Sequence, residues 1–159
     1  MKTKKVASIP VLSALYAITI LTIQIPSPTG GYTHIGDTVV FLAALLFGSK
    51  VGALVGVVGA VTADLYVGYS RRFLSIPAHG LEGFVAGFAA KKSTKTQVIL
   101  CAIGGFLMAS TYFIVNIFIK GFSLALVSYA RDLFAQTGIS MILGITITKT
   151  VERTLGHRM

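Results

Sequence analysis

From Val6 to Ile25 the chain carries no charged side chain, and the same holds from Gln97 to Ile119. Runs of this length can cross a hydrocarbon core, which takes roughly 20 apolar residues. A soluble fold of this size has no ready way to bury several of them. Charged residues make up only 12% of 159, and hydrophobic ones 54%; an ordinary soluble chain has about twice the charged share. The mean hydropathy is +0.81. The expectation is an all-α integral membrane protein, with residues 1–159 forming a single transmembrane domain.

Punctuation by Gly, Pro and Lys divides the chain into six helices. They are predicted at about Lys5–Ile25, Asp37–Phe47, Val51–Gly68, Pro77–Ala90, Gln97–Ile119 and Leu124–Val151. Pro26–Gly36, rich in Gly and Pro, reads as a loop, and Pro77 reads as a first-turn residue. The second and fourth helices are short for a full span, which suggests tilted or partly re-entrant elements shielded by protein. The apolar run after Lys2, Lys4 and Lys5 is long and lacks a small-x-small cleavage pattern, so it reads as a helix rather than a removed leader.

The net charge of +9 does not require a nucleic-acid partner. Lys and Arg sit in short segments between apolar runs, as in cytoplasmic loops of membrane proteins. With the N-terminus inside, Lys2, Lys4, Lys5, Lys50, Lys91, Lys92, Lys95, Lys149, Arg153 and Arg158 fall on the inner side. Only Arg71, Arg72, Lys120 and Arg131 fall outside. That bias predicts a six-transmembrane-helix bundle with both termini cytoplasmic. The single cysteine, Cys101, excludes an internal disulfide and a thiolate metal site.

In this topology four of the five acids, Asp37, Asp64, Glu82 and Asp132, lie at the outer ends of their helices. Charge inside a membrane is expensive and marks function. The candidate solute-binding residues at that end are His34, Asp64, Tyr66, His79, Glu82, Tyr112, Asn116, Arg131, Asp132 and Gln136. His79 and Glu82 are spaced i, i+3; Tyr112 and Asn116, i, i+4; Ser128, Asp132 and Gln136 continue at i+4 and i+8. Tyr69 and Tyr32 lie nearby in sequence. The inner halves are nearly pure apolar residues, so the expectation is a cup open to the outside with a greasy floor, not a channel. Aromatic walls and a few polar groups suit a flat heteroaromatic solute.

Duller roles are open to several of these residues. Asp37 can cap the second helix; Arg131 can pair with Glu82 or Asp64; the glycines Gly52, Gly56, Gly59, Gly80, Gly83 and Gly87 read as plain helix packing. His79 and Glu82 offer two metal ligands, but no third and fourth follow at the required spacing, so no metal is expected. The chain lacks G-x-S-x-G, H-E-x-x-H and Walker patterns. Neither enzymatic activity nor a cofactor is expected, and energy for uphill transport must come from another subunit or an ion gradient.

The run Gly36-Asp37-Thr38-Val39-Val40-Phe41-Leu42-Ala43-Ala44-Leu45-Leu46-Phe47-Gly48 is distinctive, as are Gly52-Ala53-Leu54-Val55-Gly56, Ala63-Asp64-Leu65, Gly68-Tyr69 and Ala78-His79-Gly80-Leu81-Glu82-Gly83. Together they resemble the S components, the substrate-binding subunits, of energy-coupling factor (ECF) vitamin transporters, nearest the hydroxymethylpyrimidine and pyridoxine group. The resemblance implies six helices, a vitamin pocket near the outer face, and partners: a transmembrane scaffold protein and two cytoplasmic ATPases. It also implies docking through small residues of the first helix, where Ser13-x-x-x-Ala17, with Ala14 adjacent, stands in place of Ala-x-x-x-Ala. His79 stands where many relatives are expected to have Lys. Alternatives of other kinds are a structural membrane protein of the cell-shape machinery, a small membrane enzyme using His79 and Glu82, or an S component for riboflavin or another vitamin.

Overall fold

The protein was analysed as a computed structural model, which describes residues 3–155 and, within them, the side chains of 6–154. Of the basic residues that set the predicted orientation, Lys2, Lys4, Lys5 and Arg158 lie outside that described set. Helices dominate: α1 (Thr3–Thr22), α2 (Asp37–Phe47), α3 (Ser49–Val67), α4 (Arg72–Ala86), α5 (Thr94–Lys120), α6 (Phe122–Arg131) and α7 (Gly138–Leu155). A π-helical turn, Asp132–Thr137, joins α6 to α7 without leaving helical backbone. The two therefore form one long rod, matching the single sixth helix expected.

Two boundaries differ from the sequence reading. The first helix stops at Thr22, and Gln24–Pro26 pairs antiparallel with Tyr32–His34 as strands β1 and β2. Ile23 and Ile25 are β-branched and suit extended backbone, and Pro26 closes the ladder. Gly30 and Gly31 hold φ of +82° and +81° at the tip, a conformation other residues resist. The fourth helix starts at Arg72, not Pro77. Its buried residues Ser75, Ala78, His79, Glu82, Gly83 and Ala86 form one unbroken helical stripe, so packing holds the turn before Pro77 in place. Pro77 itself faces outward.

The bundle is inverted relative to a soluble protein. Phe73, Phe84, Phe88, Phe106, Ile114, Phe118 and Phe134 are exposed on its perimeter, while Asp37, Asp64, His79, Glu82 and Gln97 are buried. Such a surface belongs in hydrocarbon, not water. Two helices, Ser49–Val67 and Thr94–Lys120, are by themselves long and apolar enough to span a membrane. The short α2 is sheathed by its neighbours. One face joins Tyr16, Ala17 and Ile20 of α1 and Val51 and Val55 of α3. The other joins Ala86, Cys101 and Ile145.

Helices α3 and α4 touch through the glycine stripe. A Cβ on Gly52 would stand 2.5 Å from the Gly83 carbonyl oxygen, and one on Gly56 would collide with the His79 carbonyl. Gly59 gives the same clearance to the Tyr16 ring. These contacts do more than pack: they bring Tyr16 of α1 and His79 of α4 to the same point beside α3. Away from the polar cluster the interior is less purely apolar than expected, both one turn beyond Gln136 and at the start of α5. Gln97, at the start of α5, and Ser140 are fully buried, and their side-chain polar atoms find no partner among the described residues.

Candidate functional site

Below the hairpin lies a cavity of about 50 Å³, lined by Tyr32, His34, Asp64, Tyr69, Ser75, His79, Tyr112, Asn116, Lys120, Arg131, Asp132 and Gln136, with Gly30 and Gly31 overhead. One water needs roughly 10–15 Å³ by the same kind of measure, so the space suits a single small ring. Every tertiary layer contributes: β2, α3, α4, α5, α6 and the π turn each supply at least one wall.

The floor is a hydrogen-bonded cluster centred on Asp37. Its Oδ1 accepts from the Tyr16 hydroxyl at 2.8 Å, and its Oδ2 accepts from Gln136 Nε2 at 2.8 Å. His79 Nδ1 lies 3.3 Å from Asp37 Oδ1 and 3.1 Å from Glu82 Oε2. An N–H there points between two carboxylates. The Tyr16 hydroxyl is also 3.0 Å from this nitrogen. Asp37 is therefore not the side-chain cap proposed for α2: Gly36 is the N-cap residue, with no side-chain cap bond. The carboxylate turns inward because two buried donors reach it there.

His34 arrives from β2. Its Nδ1 accepts from the Gly36 N–H at 3.2 Å and sits 4.0 Å from Asp37 Oδ1. Burial pushes the His34 imidazole down to about 4, against the opposing pull of Asp37, so it is neutral at pH 7. His34, Asp37 and His79 have ligand-type atoms within 4.8 Å of one another. Sequence spacing gave no third partner to His79 and Glu82; the fold supplies one from the preceding loop. Their facing lone pairs already hold the bonds just described, so the trio serves as a hydrogen-bonded floor.

The walls are built alike. Asp64 Oδ1 accepts from the Tyr32 hydroxyl at 2.6 Å, and its Oδ2 accepts from the Ser75 hydroxyl. Ser75 also meets the Tyr112 hydroxyl at 2.8 Å. Tyr32 and Tyr69 make an edge contact with centroids 5.9 Å apart. Asn116 Oδ1 accepts from Arg71 Nη1 at 3.0 Å. Arg131 pairs with Asp132, through Nη2 at 2.7 Å and Nε at 2.9 Å. The pairing expected with Glu82 or Asp64 is not made, because Asp132 is adjacent on the same rod and closer. The hairpin is tied down by Thr29 Oγ1 to Ser128 Oγ at 2.7 Å and by Lys120 Nζ to the Gly30 carbonyl at 3.2 Å.

Of the ten residues read from sequence as solute contacts, eight line the cavity: His34, Asp64, His79, Tyr112, Asn116, Arg131, Asp132 and Gln136. Tyr66 does not; it is 81% exposed, on the outward face of α3. Glu82 stands behind His79 and holds it rather than lining the space. Tyr16 and Ser75 were missed. Tyr16 had a signal, a lone hydroxyl midway along an apolar helix, whereas Ser75 had none. Ser13 and Ala17, expected from the resemblance to dock a partner, are enclosed by the chain's own helices. These two are 3% and 4% exposed, turned into the fold where Gly59 lets α1 approach α3. Ala14 faces outward, beside Val11, Leu15 and Ile18.

The cavity is lined by aromatic and hydrogen-bonding groups, and comparison with known proteins gives the family that carries it. Residues 1–153 match the family model described as ECF-type riboflavin transporter, S component. The thiamine precursor transporter HmpT of Lactococcus lactis subsp. cremoris (strain MG1363) is 27% identical over 161 residues, covering 97% of this chain and 93% of that protein. An uncharacterized protein in a gap 3' region of Pyrococcus woesei is 30% identical over 143 residues, covering 87% and 95%. The chain thus belongs to the S components of ECF-type transporters, a membrane-embedded family of solute-binding transport subunits rather than enzymes.

Proposed function

We propose that this chain captures a one-ring vitamin precursor of the hydroxymethylpyrimidine type at the outer face of a prokaryotic plasma membrane. The observation that carries the reading is the small cavity walled by Tyr rings, with the imidazoles of His34 and His79 and the carboxylates of Asp64 and Asp132 in its lining. An aminated pyrimidine offers N–H donors to the carboxylates and a flat face to Tyr32 and Tyr69. The relative named as a thiamine precursor transporter supports the same class.

In this reading six helical rods span the membrane with both termini inside, and the hairpin closes over the bound solute. A transmembrane scaffold and two cytoplasmic ATPases then drive reorientation of the whole subunit. The surface of α1 offered to the scaffold is Val11, Ala14, Leu15 and Ile18, since Ser13 and Ala17 are enclosed. The test is direct. Purified protein in detergent should be thermally stabilised by hydroxymethylpyrimidine and not by riboflavin, and liposomes holding the chain alone should bind but not accumulate it. Stabilisation by riboflavin alone, or sustained uptake without an ATPase module, overturns the reading.

A further inference from the structure

The rim of the cavity carries cationic donors that the protein's own acids do not satisfy. Arg131 gives Nε and Nη2 to a single oxygen, Asp132 Oδ1. Its Nη1 is buried and has no partner among the described residues, on a side chain that lines the cavity. Lys120 Nζ reaches only uncharged oxygens, the Gly30 carbonyl at 3.2 Å and Ser128 Oγ at 3.3 Å. Arg71 Nη1 donates to an uncharged amide, Asn116 Oδ1. The ion pairs found among the described residues include neither Lys120 nor Arg71. Lys120 feels the like charge of both Arg71 and Arg131 and the opposite charge of Asp132, so three cations share one carboxylate at this mouth.

Like charges gathered around a partly buried site raise its energy unless an anion joins them. The remaining carboxylates cannot serve. Both oxygens of Asp64 accept bonds from Tyr32 and Ser75, and Asp37 is held at the floor by Tyr16 and Gln136. The cavity is polarised as a result, with Asp37 and Glu82 deep and three cations against the single carboxylate of Asp132 at the opening. A guanidinium with a free N–H beside an ammonium is a good receptor for a phosphate or carboxylate.

We infer that the rim is an anion subsite: the solute carries a phosphate ester or a carboxylate, held by Arg131, Lys120 and Arg71, while its ring end meets the floor. This rests on the solute-capture reading above and narrows it to acidic or phosphorylated forms of the ring compound. A lipid headgroup phosphate shares the same chemistry. The solute is the better occupant because Arg131 lines the enclosed space rather than the apolar perimeter.

The experiment compares hydroxymethylpyrimidine with its phosphate monoester on the full chain in nanodiscs of zwitterionic lipid, by calorimetry and thermal shift. The ester should bind roughly tenfold tighter or more, with a preference that shrinks as salt rises. In Arg131→Gln the ratio of ester to alcohol affinity should fall toward one, whatever happens to each affinity alone. Lys120→Gln and Arg71→Gln repeat the comparison if the ligand-free melting of Arg131→Gln shows it misfolded. Alcohol binding as tight as or tighter than ester binding overturns the anion subsite and leaves the capture reading standing. Binding of neither overturns both. Stabilisation by added phosphatidylglycerol that is lost in Arg131→Gln, with no preference for the ester, assigns the rim to a headgroup and overturns the inference.

Discussion

Floor and rim of the cavity are both crowded with ionisable side chains, yet they are organised differently. At the floor, both oxygens of Asp37 accept bonds from protein donors and His79 bridges toward Glu82 Oε2, with only Glu82 Oε1 left without a partner among the described residues. At the rim, Lys120 and Arg71 donate to neutral acceptors, and one Arg131 nitrogen is left over. A network in which nearly every group is paired fixes the backbone elements that carry it. An unsatisfied set is available to something that arrives later. The difference teaches that burial of charge has two uses here: the deep groups set the shape of the site, and the outer groups select what enters.

That contrast can be broken at several points. The largest effect is expected from Asp37→Ala, which leaves the Tyr16 hydroxyl and Gln136 Nε2 without their acceptor and removes one of the two carboxylates beside His79. Breaking a buried charged cluster costs about 3–5 kcal/mol, so melting in detergent should drop sharply and solute binding should vanish. Retained stability would show that the floor is not scaffold. Next is pH. The His34 imidazole sits at about 4 in the fold because burial opposes its charge, against about 6.5 unfolded. The unfolded chain therefore binds the extra proton between these values. Stability from this group is full above pH 6.5 and lost as pH falls toward 4, by about 3 kcal/mol in all. A melting series over that range should show the loss, and His34→Gln should flatten it.

Gly56→Val tests whether the floor depends on the approach of α3 to α4. The added side chain meets the His79 carbonyl, an overpacking cost of about 1–3 kcal/mol, and should weaken solute affinity by displacing His79. Tyr32→Phe removes the hairpin's bond to Asp64. Net hydrogen bonds are worth about 1 kcal/mol, so solute should leave several-fold faster in stopped-flow release with melting hardly changed. The smallest effect belongs to Tyr66→Ala. Tyr66 faces outward, and both melting and affinity should stay within about 0.5 kcal/mol.

Sequence spacing carried much of this. The gathering of Asp37, Asp64, Glu82 and Asp132 at one end was legible because each charge stands alone in an apolar run and its place along the helix fixes its depth. The alignment of His79 with Glu82 followed from helical periodicity alone. What stayed hidden needed three dimensions. Tyr16 and His79 are 63 positions apart, and only the Gly59 and Gly56 clearances bring them together. The strand at Gln24–Pro26 was lost inside an apolar run whose composition fits helix as readily. Tyr66 was misjudged because closeness to Asp64 in sequence does not put it on the same helical face.

The π turn at Asp132–Thr137 has a consequence for comparing relatives of this chain. In an ordinary α-helix, side chains four apart drift by about 40° around the axis, so Ser128, Asp132 and Gln136 would spiral away from a common line. The wider winding of a π turn undoes part of that drift and lets Asp132 and Gln136 both reach the cavity. Losing one residue there would restore ordinary winding across the turn, leave α7 facing nearly as before, and change which of residues 132–137 face the cavity. A single-residue gap at this place in an alignment thus stands for a changed wall at Asp132 and Gln136, with the helix beyond it still seated as before.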